Sequence, residues 1–537
     1  MARALWACVA VWLAACGGGS AGSADSAPGA EGGQPGDAAT DGRLPDAGLA
    51  DGASDSATPP DGGLGADASP DGPPPGLPFD YARPAAGTPV PAAELTAITD
   101  TYLDLLAQTR YFDVLDERVV GWPESDPQQR YWYGHWWSGA GFVKEQGDVS
   151  LVHGNMGADN PGIPSSLVLE SVCLAHRVWP TPKLEHIARR LLRALNAWIF
   201  SMQRYASDPA GTLLARVSYP ESVTSTDSGR TLVIDYSADR PGVDSYCLYV
   251  HLPTNPYWGD IYIKNKRSKD DIGHMLRAIG TLKDCEGGFD AATRADIDEV
   301  RTNYSAWSRR VEDDGWAIAT LDQDLNVYIP PLDSTMSHFY GAGNAECDAM
   351  LAIRLLGRGD PGGFACGNGV NAFEYLVLDN PSNGEIIRSF HEAAARNALL
   401  WQQDSTAREL LGGLAQRMDQ AMGWAESGSW PVHMNAERLV KLLVHSANVG
   451  VPLTAREVRW IHGQIAAAHT SFVTNAAPAV YRLYDPTTPD GAYDFTPPGE
   501  GIDFTFFASL AGTCTATYRN PTTQPLLDCA RLQTFTP

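Results

Sequence analysis

The sequence predicts a mainly α-helical body, built from antiparallel helical hairpins and preceded by a long disordered segment. Three observations support this fold class. Apolar residues recur at helical spacing in roughly ten stretches, and short turns join most of these stretches into pairs. No alternating strand runs separate the pairs. A region composed almost entirely of Gly, Ala, Ser, Asp and Pro precedes them.

The first fifteen residues have the layout of a secretory signal, in which Arg3 precedes an apolar run that is too short to span a bilayer. The following Leu13-Ala14-Ala15-Cys16 resembles the lipobox of bacterial lipoproteins. The resemblance implies cleavage before Cys16, fatty acyl chains such as palmitate on that cysteine, and a membrane-anchored protein outside the cytoplasm. It further implies the outer membrane or cell surface rather than the inner membrane. An ordinary cleaved signal with an incidental cysteine is the alternative.

Residues 16–80 form a segment that we name the N-terminal tether. It contains one basic residue, Arg43, and no aromatic residue before Phe79. Because such a composition buries too little apolar surface to offset the entropy of ordering, we expect a disordered spacer. Residues 81–537 are expected to form a single domain, with no further apolar stretch long enough for a transmembrane helix.

The charge balance argues against nucleic acid as a partner. The chain has 64 acidic and 39 basic residues, and no Arg- or Lys-rich stripe interrupts this acidity. A protein that binds nucleic acid needs such a stripe to neutralise phosphates. An acidic substrate remains compatible with the sequence, because a local pocket can be basic on an acidic protein.

Helical spacing and end signals predict each element in order. A single helix at 93–108 is followed by a pair formed by 165–178 and a second helix that Thr181 caps and Pro182 opens. The apolar face of this second helix consists of Leu184, Ile187, Leu191, Leu195, Trp198 and Met202. Further pairs are predicted at 269–282 with 291–311, at 384–401 with 406–422, and at 436–447 with a helix opened by the capping box of Thr454 and Glu457. A single helix at 344–356 and short β-hairpin loops at 231–236, 260–263 and 326–329 complete the prediction.

Five or six helical hairpins in a body of this size can close into a ring whose inner helices surround a cleft at one end. This architecture is similar to the (α/α) toroid of many polysaccharide lyases and glycoside hydrolases. The similarity covers most of residues 81–537 and is not accompanied by a family-defining motif. An α-solenoid or a two-lobed bundle is the alternative, although no regular internal repeat is visible.

The cysteines beyond Cys16 show no metal-ligand spacing, so a zinc site is not expected. Cys514 with Cys529 and Cys347 with Cys366 would each close a loop of about 15 to 20 residues. Cys247 with Cys285 is a further candidate pair. Cys173 lies in an apolar helical pattern and is expected to be a buried free thiol. The sequence leaves the pairing open.

Two loops offer groups that suit a saccharide. The segment 131–137 is rich in aromatic rings, and we expect His135, Trp136 and Trp137 to bind substrate, because aromatic faces stack on sugar rings. The alternative is that Trp136 is a core residue of an inner helix. In the loop 153–162, Asn155 is a candidate substrate ligand, whereas capping and turn formation explain most of its other polar residues.

A third loop is positively charged and leads into a helix. Lys266 and Arg267 precede the predicted helix and could receive an anionic group such as a uronate. Asp270 and His274 are four residues apart and share one helix face, so they can form an acid–base pair. The alternative is a capped helix whose first acidic residues favour the helix dipole.

A fourth loop supplies the remaining catalytic candidates. Toroid lyases use Tyr or His as base and acid, with Asn, His or Arg neutralising the uronate carboxylate. Carried over by residue type, this implies His338 and Tyr340 as catalytic residues and Asn344 as the neutralising residue. Further candidates in reserve are His433, Asp485 and Asp503.

No cofactor is expected from the sequence. Asp322, Asp324 and Asn326 alternate as in the start of a calcium loop, but the glycine and terminal glutamate of such a loop are missing, which favours a plain turn. Serine-hydrolase, zinc-protease, P-loop and dinucleotide fingerprints are also missing from the sequence.

Together these patterns predict a lipid-anchored enzyme that cleaves an acidic polysaccharide by β-elimination. An inverting glycoside hydrolase is the alternative enzyme, with carboxylates drawn from Asp270, Asp271, Glu346 and Asp348. A non-catalytic surface lipoprotein that binds glycans or proteins is the alternative from another class.

Overall fold

The computed structural model describes residues 88–117, 119–120, 135–136, 142–145, 148–151, 162–200, 213–215, 217–219, 222–224, 231–234, 249–255, 259–264, 269–321, 326–329, 338–339, 347–362, 364, 383–430, 435–470, 506–516 and 524–537. They belong to one compact unit, Pro73–Pro537. The signal, Cys16 and the N-terminal tether lie outside these residues. No helix in the described ranges is both long and apolar enough to cross a membrane.

The described part of the chain is mainly α-helical, as predicted. Its helices are α1 (Ala92–Gln108), α2 (Tyr111–Glu117), α3 (Gly162–Val178), α4 (Pro182–Phe200), α5 (Lys269–Cys285), α6 (Ala291–Asp313), α7 (Cys347–Arg358), α8 (Asn383–Leu400), α9 (Asp404–Ser427), α10 (Ala436–Asn448), α11 (Ala455–His469), α12 (Ser509–Gly512) and α13 (Cys529–Leu532). All of the predicted helical pairs are present, whereas α2, α12 and α13 are additions that the pattern did not predict.

The strands are β1 (Val119–Val120), β2 (His135–Trp136), β3 (Phe142–Glu145), β4 (Asp148–Leu151), β5 (Val217–Tyr219), β6 (Ser222–Thr224), β7 (Thr231–Ile234), β8 (Tyr249–Asn255), β9 (Gly259–Lys264), β10 (Thr320–Leu321) and β11 (Val327–Tyr328). The three predicted β-hairpin loops are present as the antiparallel pairs β6–β7, β8–β9 and β10–β11, and the first two pairs belong to larger sheets. Strand β7 pairs in parallel with β4 inside the four-stranded sheet β3-β4-β7-β6. Strand β9 is the central strand of β5-β9-β8.

Side-chain caps fix the starts of α10 and α11. The Thr454 hydroxyl accepts from the Glu457 N–H at 3.3 Å, and Glu457 Oε2 accepts from the Thr454 N–H at 2.7 Å, which completes the predicted capping box of α11. Asn435 caps α10 in the same way, accepting from the Arg438 N–H at 2.8 Å. Each cap satisfies backbone donors that the first turn leaves unpaired.

Among the described helices, α3, α5, α8, α10 and α12 contact one another in a closed cycle, in that order and back to α3. The second helix of each hairpin packs beside its partner in the cycle: α4 on α3, α9 on α8 and α11 on α10. Helix α4 also contacts α6, and α6 contacts α7. The body therefore has an inner layer of cycle helices and a second layer around them.

The cycle helices run parallel to one another. Gly162, the first residue of α3, lies against Asp271 near the start of α5. Further along both helices, Cys173 is bonded to Cys285. The same order holds at the other contacts, which pair Gly273 with Ser389, Gly280 with Arg396, Arg388 with Arg438, Glu392 with His445, Ser171 with Ser509, and Leu174 with Gly512. The N-terminal ends of α3, α5, α8 and α10 consequently lie at one end of the body, whereas the short helix α12 lies beside the second halves of α3 and α10.

Connection lengths differ between the two ends of the cycle. The chain leaves the cycle helices through short links, 179–181, 286–290, 401–403 and 449–454. It returns to α3, α5, α8 and α12 through long segments, 118–161, 201–268, 359–382 and 470–508. The long segments that lead into α3, α5 and α8 are thus attached at the N-terminal end of the cycle, whereas α10 is reached through the shorter link 428–435.

Glycines allow the cycle helices to approach closely. A Cβ at Gly280 would lie 2.7 Å from the Arg396 Cβ, and one at Gly512 would lie 2.7 Å from the Leu174 Cβ. A Cβ at Gly273 would fall 2.2 Å from the Ser389 hydroxyl. A side chain at Gly280 or Gly512 would force neighbouring helices apart, whereas one at Gly273 would first require the Ser389 hydroxyl to move.

The disulfides confirm one predicted cysteine pair and correct the prediction for Cys173 and Cys285. Cys173 is bonded to Cys285, with 5.6 Å between the Cα atoms, so it is not a free thiol, and Cys285 does not pair with Cys247. Cys514 and Cys529 form the pair expected from their spacing. Cys347 is also disulfide-bonded, whereas Cys247 and Cys366 lie outside the described residues.

Candidate functional site

The cycle helices turn polar faces toward one another. Polar side chains recur at helical spacing on each of four helices, and all are buried. They are Ser166 and Glu170 on α3, His274, Arg277 and Thr281 on α5, Arg388, Glu392 and Arg396 on α8, and Lys441, His445 and Asn448 on α10.

A layer of ion pairs lies midway along this polar interior. Arg277 Nε donates to Glu170 Oε2 at 3.0 Å, and its Nη1 donates to Glu392 Oε2 at 2.9 Å. His445 Nδ1 donates to the same Glu392 oxygen at 3.0 Å. Thr281 donates its hydroxyl to Glu170 Oε1 at 2.9 Å. We name Glu170, Arg277, Glu392 and His445 the central ion layer; it joins α3, α5, α8 and α10.

The buried charges around this layer balance. Burial opposes ionisation of Glu392, but His445, Arg388 and Arg277 outweigh it and hold the pKa of that carboxyl below its usual range. The pKa of Glu170 is also lowered, chiefly by Arg277 against the effect of burial. Burial lowers the pKa of His445 to about 4, so its imidazole is neutral at pH 7. Three carboxylates therefore face three guanidinium groups: Glu170, Glu392 and Asp284 with Arg277, Arg388 and Arg396.

A second buried network joins the cycle to the surrounding layer. His391 Nδ1 lies 2.8 Å from Asp348 Oδ2, and its Nε2 donates to the Leu410 carbonyl at 2.9 Å. Arg417 Nη2 lies 3.5 Å from the same Asp348 oxygen. Burial opposes ionisation of Asp348, but His391 and Arg417 lower the pKa of its carboxyl. Asp348 is therefore an interior tie between α7, α8 and α9, out of reach of a substrate.

The predicted pair of Asp270 and His274 lies on α5 at the N-terminal end of the cycle. Both residues are in the helix, so their four-residue spacing places them on one face. His274 is buried one turn before Arg277 of the central ion layer. The side chain of Asp270 lies outside the described part of the chain. Its neighbour Asp271 is buried against Gly162.

The predicted loop residue His338 reaches the same end of the molecule. His338 is buried and forms an isolated bridge with Ala317. The adjacent Phe339 ring lies 5.8 Å from the Phe390 ring on α8, and the Lys269 ammonium at the start of α5 lies 5.3 Å from its centroid. The structure thus brings the His338 segment beside the helix that carries His274. Tyr340 and Asn344 lie outside the described residues.

Within the aromatic segment 131–137, the structure describes the backbone of His135 and Trp136. His135 and Trp136 form β2, which pairs with β1 and contacts α3 and α4. Trp136 is consequently not a residue of an inner helix, which was the alternative interpretation. Trp137, Asn155, Lys266 and Arg267 lie outside the described residues, as do His433, Asp485, Asp503 and Glu346.

No metal site emerges from the part of the chain that the structure describes, where no group of three or more His, Cys, Asp or Glu is placed to hold an ion. Asn326 of the calcium-like pattern is exposed, while Asp322 and Asp324 fall outside the described ranges.

Sequence reasoning missed the central ion layer. Its signal was present, because Arg388, Glu392 and Arg396 recur every four residues within an alanine-rich helix. Such charged spacing also describes a solvated helix face, and only the packing of α8 among other helices shows that this face is buried.

No protein-family model matches this chain, and no curated protein matches it. Among solved structures it is similar to the "structure of AaCel9A in complex with cellobiose-like isofagomine", with a TM-score of 0.35 and 14% sequence identity, over 78% of this chain and 84% of that chain. A TM-score and an identity this low do not establish a common fold or function.

Proposed function

We propose that residues 81–537 form an (α/α)-toroid carbohydrate-active enzyme whose cleft opens at the N-terminal end of the cycle. One observation carries this proposal: five parallel helices contact one another in a closed cycle, and long connections lead into the N-terminal ends of three of them, α3, α5 and α8. The opposite end has short links, which leave little chain to build a binding site. The interior below the proposed cleft is filled by the central ion layer.

The composition of the long connections supports a sugar polymer as substrate. The segment 131–137 carries five aromatic residues beside His135, and rings of this kind stack on sugars. Lys266 and Arg267 add positive charge just before α5, which favours an acidic polymer such as a polyuronate. Trp136, Trp137 and Asn155 are the further proposed substrate ligands.

The proposed reaction is β-elimination. A base, drawn from His274, His338 or Tyr340, removes the proton alpha to the uronate carboxylate, and the resulting enolate expels the 4-linked sugar oxygen. Asn344 and the nearby cations stabilise the enolate charge. Asp270 orients His274. The product carries a new double bond conjugated with its carboxylate.

An assay on polygalacturonate, alginate and hyaluronate tests this proposal. We expect product absorbance near 235 nm, and a loss of roughly 100-fold or more when His274 is replaced by Ala. His176→Ala is the matched control. His176 is also buried, but it lies near the C-terminal end of α3, at the end of the cycle away from the proposed cleft. Circular dichroism melts verify that both variants fold. New reducing ends without this absorbance would show that the enzyme is a hydrolase and not a lyase. Binding of the polysaccharide without turnover would overturn the proposal that the protein is an enzyme.

The inverting hydrolase is the second candidate, with carboxylates drawn from Asp270, Asp271, Glu346 and Asp348. We favour Asp270, Asp271 and Glu346 as its acid and base, because Asp348 is paired with His391 and Arg417 between α7, α8 and α9.

We further propose that the protein is a lipoprotein anchored through Cys16. The lipobox-like Leu13-Ala14-Ala15-Cys16 and the composition of the N-terminal tether support this proposal. Incorporation of a palmitate analogue into the wild type, and its loss in Cys16→Ser, would support the anchor. Equal labelling of both proteins would overturn it.

A further inference from the structure

The first and last long helices of the described body meet along one seam. Helices α1 and α11 lie side by side and parallel, with Glu94 Oε1 3.8 Å from His462 Nδ1. Ten residues further along α1, Asp104 Oδ2 lies 2.8 Å from His469 Nε2. We name this contact the α1–α11 seam.

Residues 524–537, which we name the C-terminal strap, bind to both sides of the seam. On α1, Thr96 donates its hydroxyl to Asp528 Oδ2 at 2.7 Å, and the Asp528 N–H donates to the Thr99 hydroxyl at 2.8 Å. On α11, His462 Nε2 donates to the Leu526 carbonyl at 2.7 Å. The strap therefore holds the two helices together without belonging to either.

The far end of the strap reaches the cycle. Trp179, directly after α3, donates its indole N–H to the Leu532 carbonyl at 2.8 Å. The Phe535 ring packs against the Trp179 ring with 5.5 Å between centroids. Leu527 and Leu532 of the strap are themselves buried.

One covalent bond ties the strap to the cycle. Cys529 in the strap is bonded to Cys514, which follows α12, at a separation of 15 residues. Both cysteines are partly exposed. Cys173 and Cys285, by contrast, have no exposed surface. Thiol–disulfide exchange requires an attacking thiolate to reach one sulfur, so the two bonds differ in access.

We propose that the Cys514–Cys529 disulfide is a thiol-exchange site, at which a dithiol reductant outside the cytoplasm reduces the protein and loosens the strap from the α1–α11 seam. A thiolate of the dithiol attacks one sulfur and forms a mixed disulfide, and the other cysteine leaves as a thiolate that takes up a proton. The second thiol of the dithiol then resolves the mixed disulfide. The protein gains two thiols, and the reductant becomes a disulfide.

Loosening follows because the disulfide limits how far the strap can depart. After reduction, the strap is held by its hydrogen bonds, by the ion pair of Arg531 with Asp100 and by its buried apolar side chains, and it can open locally while the rest of the body stays folded. The closing of a 15-residue loop corresponds to an effect on the order of 100-fold on the opening equilibrium. The inference rests on the proposed location outside the cytoplasm and is independent of the proposed enzymatic activity.

Graded reduction of the full chain with dithiothreitol, followed by maleimide trapping and peptide mass spectrometry, tests whether the Cys514–Cys529 bond is reduced before the Cys173–Cys285 bond. We expect Cys514 and Cys529 to be labelled under native conditions, while Cys173 and Cys285 are labelled only after denaturant is added. Labelling of both pairs at the same dithiothreitol concentration would overturn the proposal.

Hydrogen exchange tests whether reduction of this bond loosens the strap. After selective reduction, we expect strap amides such as those of Leu532 and Phe535 to exchange up to about 100-fold faster, with α8 unchanged. In the double variant Cys514→Ser/Cys529→Ser, the strap amides should exchange at the rate of the reduced wild type, and dithiothreitol should not change that rate. Unchanged strap exchange in both samples would show that the disulfide does not hold the strap.

Discussion

His391 and Glu392 are consecutive residues of α8, yet their side chains belong to two different buried ion networks. His391 bonds to Asp348 on α7 and to the Leu410 carbonyl on α9, whereas Glu392 faces Arg277 and His445 inside the cycle. Neighbouring positions on a helix point about 100° apart, so one helix can serve both layers. Helix α8 is therefore the element through which the inner and outer helices are tied.

Removal of the shared cation should strongly destabilise the fold. Arg277→Met leaves Glu170 and Glu392 buried without their guanidinium partner, and we expect the free energy of unfolding to fall by about 3–5 kcal/mol. Arg456→Gln is the control, because Arg456 and its partner Glu426 are both 50% exposed, and it should cost less than about 1 kcal/mol. Urea unfolding of both variants measures the difference. Similar losses would mean that the central ion layer is not special.

Acidification should destabilise the protein in two stages. The unfolded chain binds a proton at His445 near its ordinary pKa of 6.5, but burial lowers the folded pKa to about 4, so stability falls as the pH drops between these values. Below the ordinary Glu pKa of 4.5, the lowered pKa values of Glu170 and Glu392 remove further stability. Unfolding free energies measured from pH 8 to pH 4 should show a shallower first stage in His445→Gln. An identical slope in the variant would contradict the assignment.

The close contact between α5 and α8 leaves no room for an added methyl group, which should lower the stability of the protein. In Gly280→Ala the new Cβ meets the Arg396 Cβ, and we expect a loss of about 1–3 kcal/mol. Gly412→Ala on α9 is the matched control, since nothing lies within 4 Å of its Cβ position, and it should gain about 1 kcal/mol from helix propensity. Thermal melts should move in opposite directions, and equal shifts would refute the packing argument.

The capping box should contribute measurably to α11. Thr454→Ala removes the hydroxyl that accepts from the Glu457 N–H, and we expect a loss of about 1 kcal/mol. Thr101→Ala provides a comparison, because the Thr101 hydroxyl bonds only within its own exposed helix turn. Chemical denaturation compares the two, and a larger effect at Thr101 would reverse the expectation.

The helical pairs could be predicted from sequence because their signals are local. The apolar face of α4, the cap at Thr181 and the capping box of α11 all fall within a few residues of the element that they define. The same reasoning could not find the partner of β7, because β4 lies about eighty residues earlier and its pairing depends on the folded arrangement of both segments.

The interior of the candidate site was less accessible to sequence. Cys173 was expected to be a free thiol because its neighbours are apolar, and its bond to Cys285, 112 residues away, has no local signature. Glu170 and Arg277 each resemble an ordinary charged residue on a helix. Only the parallel packing of α3 and α5 reveals that they pair in the interior.

Gly273 and Gly280 stand seven residues apart on α5, with Arg277 between them, and all three face neighbouring cycle helices. Inserting one amino acid between Gly273 and Arg277 would rotate the rest of α5 by about 100°. Gly280 and the Arg277 guanidinium group would then both point away from their partners. An insertion or deletion in this segment should therefore be tolerated even less than a substitution at one of the three positions.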